Sequence, residues 1–279
     1  MRGFFASLRM TIGGGRRVLL VDNGSLEPGS TLQLRRIAAE LAANVGVKVE
    51  AVSVAHSTKV PAEELEGRKA ELLDEALDRC VTEGAEEVIV APLFVGPSYA
   101  IVRHVPAVVA QRGTLKARMA APLFVEGERR LARILVDHVR AELLPGQKVR
   151  VAVVDHGSPS RGVTAVRDAV ATQVREMLDG EVADVAACSM ERRAGEEFAF
   201  NEPLLETLLT REGWRDGPLV VALLFIAPGK HAGPEGDVAQ IVKRVRGGAM
   251  TDVRFTRTMG SHPLLVEILA ERVRAVAVG

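Results

Sequence analysis

Cysteine is scarce: the 279 residues hold two, Cys80 and Cys188, far apart and outside any C-x-x-C or zinc-ribbon spacing. That excludes a disulfide framework and a cysteine-built zinc site, and it points to two buried, reduced thiols in a cytoplasmic protein. Net charge is missing as well, with 36 Lys plus Arg against 36 Asp plus Glu. A chain so balanced has no general electrostatic pull toward nucleic acid or an anionic membrane. Long apolar runs are also lacking. The opening MRGFFASLRMTIGGGRR has an apolar stretch too short to span a bilayer and no small-residue cleavage site after it, so it reads as a tail, with Met10 an alternative start. Its glycines precede the first strand, which excludes a dinucleotide-binding fingerprint.

Hydrophobic residues make up 47% of the chain and charged residues 26%, the mixture of a globular protein. Short β-branched runs at 16–22, 47–54, 86–94 and 115–122 read as buried parallel strands. Between them, segments 31–45, 68–84, 99–111 and 127–144 carry helical periodicity. Pro145-Gly146 interrupts this rhythm. It then restarts with strands at 147–155, 182–188, 218–225 and 251–257, and helices at 163–180, 201–213, 237–248 and 262–276. Strand–helix alternation predicts an α/β protein with two four-stranded parallel sheets flanked by helices.

The halves also match in letters. Val21-Asp22-Asn23-Gly24-Ser25 corresponds to Val154-Asp155-His156-Gly157-Ser158, an offset of 133 residues. Leu93-Phe94 followed by Pro97 corresponds to Leu224-Phe225 followed by Pro228, an offset of 131. A period this long is a domain duplication rather than a solenoid. The boundaries read as 1–146 for the first lobe and 147–279 for the second, with a cleft between them.

In open parallel sheets, ligands sit beyond the C-terminal ends of the strands. There the second lobe carries Asp155-His156-Gly157-Ser158 after its first strand, and a loop from Phe225 to Asp237 containing His231 after its third. Its second strand ends near Glu191. Two imidazoles and one carboxylate on one rim suit a borderline divalent ion such as Co²⁺, Fe²⁺ or Ni²⁺. Glycines beside each His, Gly229 among them, let a large flat ligand approach the backbone. Asp237 reads as an N-cap of the following helix. Ser158, Arg192, Arg193 and Lys230 lie on or near the same rim and are candidate substrate-binding groups. The first lobe has Asn23 in place of His156 and Ala100 in place of His231, so one site per chain is expected.

VDHGS and LLFIAPGKHAGPEGDVAQI resemble the two signature motifs of the sirohydrochlorin chelatases, the type II tetrapyrrole chelatases. LLVDNGS, VSVAHSTKVPAEELEG and APLFVGPSYA resemble the degenerate half of long, two-lobed members. The resemblance covers most of residues 16–270. It implies two flavodoxin-like, chelatase-like lobes facing a cleft, with the first lobe degenerate and the second active. It places metal-binding and catalytic roles on His156 and His231. The acidic partner falls on Glu191, with Glu196 and Glu197 nearby. The implied reaction inserts a divalent ion into sirohydrochlorin in cobalamin or sirohaem biosynthesis. The metal enters as substrate, and no organic cofactor is needed.

Few aromatics, 4% of residues, and a rim rich in Arg and Lys favour a carboxylate-rich ring over protoporphyrin. Two other functions use the same residues. One is a non-enzymatic metal or tetrapyrrole carrier. The other is a hydrolase using Ser158, for which the G-x-S-x-G elbow is missing. A chain holding both lobes needs no second copy to build the cleft, so a monomer or weak homodimer is expected, with no nucleic acid or membrane partner.

Overall fold

The computed structural model describes residues 15–247 and 250–277. The reading of residues 1–14 as a tail lies outside them. Among the described residues the first half runs β1 (Arg16–Asp22), α1 (Pro28–Val45), β2 (Val49–Ser53), α2 (Leu73–Thr82), β3 (Glu87–Pro92), α3 (Val105–Ala110), β4 (Lys116–Met119) and α4 (Arg130–Arg140). The second runs β5 (Arg150–Asp155), α5 (Arg161–Met177), β6 (Asp184–Ser189), α6 (Leu205–Leu209), β7 (Leu219–Leu223), α7 (Asp237–Arg246), β8 (Val253–Phe255) and α8 (Pro263–Ala277). The sheets are ordered β2-β1-β3-β4 and β6-β5-β7-β8, with every pairing parallel. The fold is thus two four-stranded α/β lobes. β3 and β7 are buried along their whole length, the pattern of strands covered on both faces.

Three expected helices differ. The one at 68–84 begins only at Leu73, because Leu72 pairs with Ser53 and holds the chain extended. The one at 99–111 opens as a π-helix, Ala100–His104, before α3. The one at 201–213 shrinks to α6. Pro203 keeps the residue before it out of the helical region, and Asn201 ends a separate 3₁₀ segment, Glu196–Asn201.

The last helix of each half packs on the other half's sheet. α8 lies against α1 and β3, and α4 lies against α5 and β7. One continuous core results, joining Leu34, Ile37 and Leu41 of α1 with Ile268, Leu269 and Val273 of α8, all buried. Each such side chain contributes about 1.5–3 kcal/mol by leaving water. Polar ties hold the exchange. Arg16 and Arg118 of the first sheet donate to the carbonyls of Ala277 and Val276 at the end of α8. Arg272 of α8 donates to Glu128, 2.7 Å away, just before α4. Burial pushes the Glu128 carboxyl up, but its bonds to Arg130 and the Arg272 charge outweigh that and hold it at about 2.

Candidate functional site

The site begins with a backbone turn. Asp155, the last residue of β5, is buried, and its Oδ1 accepts from the Gly157 N–H at 3.1 Å and from Ser189 Oγ at 2.6 Å. Gly157 sits at φ 89°, and a Cβ there would stand 1.9 Å from the Glu191 carbonyl oxygen. Only glycine fits. The close approach joins the β5 and β6 loops, and the Glu191 N–H donates to the His156 carbonyl at 3.2 Å. His156 and Glu191 thereby stand side by side, with Nε2 and Oε1 3.7 Å apart.

The β7 loop brings the second imidazole. His231 Nδ1 lies 2.7 Å from Asp237 Oδ2, so Nδ1–H donates to the carboxylate and Nε2 is left with its lone pair. Asp237 was expected to cap α7. Instead it is the helix's first residue and Gly236 is the N-cap, with no side-chain cap bond. The Asp237 carboxylate is used on His231. A Cβ on Gly236 would stand 2.8 Å from the His231 carbonyl oxygen, so this tight return of the chain requires glycine at an ordinary φ. His156 Nδ1 lies 3.1 Å from the Gly157 carbonyl, a contact that favours the same tautomer there.

The two rings meet edge to face, with centroids 4.7 Å apart and planes at 78°. Both side chains keep partial exposure, 47% for His156 and 35% for His231, so solute can reach them. They line a cavity of about 590 Å³ between the lobes, within the size range of small-molecule sites. Gly229, Lys230 and Phe225 contribute from the second lobe, and Asn23, Gln33 and Phe94 from the first.

The remaining candidates fall elsewhere. Glu191 touches the site through His156 but does not line this cavity. Ser158 is absorbed in holding its loop. Its N–H donates to Asn201 Oδ1 and its carbonyl accepts from Asn201 Nδ2, both at 2.9 Å, while its Oγ accepts from the Ser160 N–H. Arg192 turns to Glu202 at 2.8 Å and to the Gly195 carbonyl. Arg193 lines a different cavity and faces the Phe198 ring at 5.9 Å.

Two residues escaped the sequence reading. Asn201, fully buried, clamps the His156 loop through Ser158. His56 comes from the first lobe and lines the same cavity as His156 and His231. Its φ of 68° and ψ of −39°, with the Ser57 N–H donating to the Ala55 carbonyl at 2.8 Å, make a γ-turn of the rare strained type. A histidine in the loop after a strand was the sole available signal. The first lobe otherwise repeats the frame: Gly24, at φ 81°, abuts the Ala55 carbonyl as Gly157 abuts that of Glu191. Ala55 is therefore the counterpart of Glu191. All three positions of the set are replaced in the first lobe, by Asn23, Ala55 and Ala100.

The model of the CbiX family matches residues 17–140 and 150–276. The chain belongs to the CbiX family. The two matched segments correspond to the two repeats. Among solved structures, SirB from Bacillus subtilis with Fe³⁺ superposes with a TM-score of 0.70 at 16% identity, over 94% of this chain and 95% of that one. The sirohydrochlorin chelatase SirB from Bacillus subtilis subspecies spizizenii, in complex with cobalt, gives 0.69 at 14%, over 94% and 95%. CbiX, the terminal enzyme for biosynthesis of siroheme in denitrifying bacteria, gives 0.62 at 18%, over 93% and 98%. At these identities the likeness is one of fold. Comparison with the curated proteins finds no match. Among the described residues no helix is long and apolar enough to cross a membrane. Among the described residues no group of three or more His, Cys, Asp and Glu is gathered so as to hold a metal ion. His156 neighbours His231 on one side and Glu191 on the other.

Proposed function

We propose that this CbiX-family chain inserts a divalent metal ion, Co²⁺, Fe²⁺ or Ni²⁺, into sirohydrochlorin, at the second lobe's face of the cleft. The observation that carries this reading is the pair of imidazoles in edge contact at one cavity, each with Nδ1 engaged and Nε2 free. Metallation exchanges two pyrrole N–H protons for one M²⁺ and changes no oxidation state, so it calls for no redox or organic cofactor. The ion is a substrate, offered by His156 and His231, whose neutral nitrogens suit these metals. At least one imidazole takes a pyrrole proton as the metal enters, and Glu191, 3.7 Å from His156, passes it outward, while the second pyrrole proton leaves to solvent. Asp237 orients His231 throughout. Gly229 and Lys230 meet the ring's edge, where Lys230 pairs with a carboxylate. The two buried free thiols suit a reducing compartment, and we place the protein in the cytoplasm, as a monomer or weak homodimer without nucleic acid or membrane partners.

The test is absorbance of sirohydrochlorin mixed with the purified protein and each ion in turn. Turnover above the spontaneous rate is expected, whereas fixed stoichiometry would make the protein a carrier. His156→Ala and His231→Ala should each lower the rate by about 10²–10³-fold with an unchanged melting temperature. Normal rates in the double variant would sink the assignment.

A further inference from the structure

A second cavity, of about 470 Å³, opens between the lobes and is lined by neither of the two histidines. It is the pseudo-two-fold mate of the first. The first lies between the β1–α1 loop and the β7–α7 loop; the second lies between their counterparts, the β5–α5 loop and the β3–α3 loop. One hydrogen bond marks each place: Ser30 Oγ donates to the Pro228 carbonyl at 3.2 Å, and Ser160 Oγ to the Pro97 carbonyl at 3.1 Å.

The walls of this second cavity have a definite chemistry. Tyr99 and Val102, 70% and 53% exposed, present an apolar and aromatic surface to solvent. Exposed large apolar groups gathered at a cavity mark a ligand or partner surface. Arg103 from the first lobe and Arg193 from the second stand at its rim. No Asp or Glu lines it among the described residues. Val102 and Arg103 belong to the π-helix, a form concentrated at functional sites. The same π-helix begins at Ala100, where the second lobe has His231. An aromatic and apolar wall beside two guanidiniums suits a planar ring carrying carboxylates.

We propose that this second cavity binds a carboxylated planar macrocycle, of the class handled in the first cavity, and holds it without metallating it. The inference rests on the reading of the first cavity as a macrocycle site. Its lining contains no imidazole, so a ring seated there meets no metal ligand of that kind. The chain would then carry one working site and one holding site.

The experiment is an equilibrium titration of the full chain with metal-free sirohydrochlorin, followed by absorbance, beside the metallation assay on the same preparation. Two rings per chain are expected. Val102→Asp places a negative charge in the second cavity at an exposed position. It should weaken the second binding event at least tenfold and leave the metallation rate at saturating substrate unchanged. Val102→Ala, which keeps the fold and adds no charge, should retain two. One ring per chain with normal turnover would overturn the second site alone. So would loss of turnover in Val102→Asp with an unchanged melting temperature, since the cavity would then be part of the working site. Two rings bound without turnover would instead overturn the proposed function and leave this inference standing.

Discussion

The two lobes share a turn and differ in what stands behind it. In the first, Asp22 Oδ1 accepts from the Gly24 N–H at 2.9 Å and from Ser53 Oγ at 2.7 Å. In the second, Asp155 makes the same pair of bonds to Gly157 and Ser189. The residue behind is Leu34 in the first lobe and Arg167 in the second, at the same offset of 133. Both are buried. Arg167 Nη1 donates to Ser189 Oγ at 2.5 Å and to the Asn201 carbonyl at 2.8 Å. Asn201 holds Ser158, next but one to His156. A line of hydrogen bonds therefore runs from a buried guanidinium to the loop that carries His156. Among its described residues the first lobe has no such line, and Asn23 stands where the second lobe has His156. The difference teaches that glycine and aspartate build the loop, while the buried cation belongs to the lobe that carries His156 and His231.

The comparison breaks most visibly at that cation. Arg167→Leu copies the first lobe into the second. It leaves Asp155 without a nearby positive charge and strands the Asn201 carbonyl. Removing one member of a buried charged set costs about 3–5 kcal/mol. We expect a loss of that size in denaturant unfolding, together with slower metallation in the fraction that stays folded. A loss below about 1 kcal/mol would show that the guanidinium is not what holds this loop.

Arg167 also marks where the sequence stops being legible. The strand–helix order, the duplication and the two histidines could be read because each has a local signature: apolar runs, matching letters, and glycines that the turns demand. Arg167 lies in a helical segment and looks like any surface arginine. Its burial comes from Ser189 and Asn201, brought from two other segments. The exchange of α4 and α8 is unreadable for the same reason, since an amphipathic helix does not say which sheet it will cover. Ala55 became recognisable as the counterpart of Glu191 only once its carbonyl was seen against Gly24. Asn201 was assigned to a helix because nothing in its own letters reports the loop that it clamps.

His56 sharpens the comparison from the other side, since among the described residues it is the one imidazole that the first lobe brings to the cavity lined by His156 and His231. Its backbone sits at φ 68°, where a non-glycine residue is strained by about 1–3 kcal/mol and is held by its surroundings. The neighbouring bonds supply the hold: Ala55 N–H to the Asn23 carbonyl at 3.3 Å and Lys59 N–H to the His56 carbonyl at 2.9 Å. His56→Gly separates strain from side chain, because glycine accepts this φ. Stability should stay within about 1 kcal/mol of the parent. Metallation should slow by about tenfold if the imidazole meets the ring, a step worth about 1.4 kcal/mol. Unchanged turnover in His56→Gly would reduce the first lobe to a passive wall.

The smallest expected effect separates the two aspartates. Burial pushes the Asp22 carboxyl up to about 6, opposed by its bonds to Ser53 and Gly24. The unfolded chain binds that proton only near the ordinary value of 3.8. The folded form therefore binds the proton more tightly. Its stability should rise as pH falls through about 6 toward 3.8, with the carboxylate a net cost at pH 7. Asp22 is only half-buried, so water screens part of that cost. Asp22→Asn keeps the Oδ1 acceptor and removes the charge. It should gain about 1 kcal/mol at pH 7 and almost nothing at pH 4, read from urea midpoints at the two pH values. Asp155→Asn makes the same change where burial again pushes the carboxyl up, but here the bond to Ser189 and the Arg167 charge oppose the shift, while Arg167 keeps its ion pair with Asp168 at 2.8 Å; its gain at pH 7 should be smaller than that of Asp22→Asn. Equal shifts in the two variants would mean that Arg167 does not distinguish the lobes electrostatically.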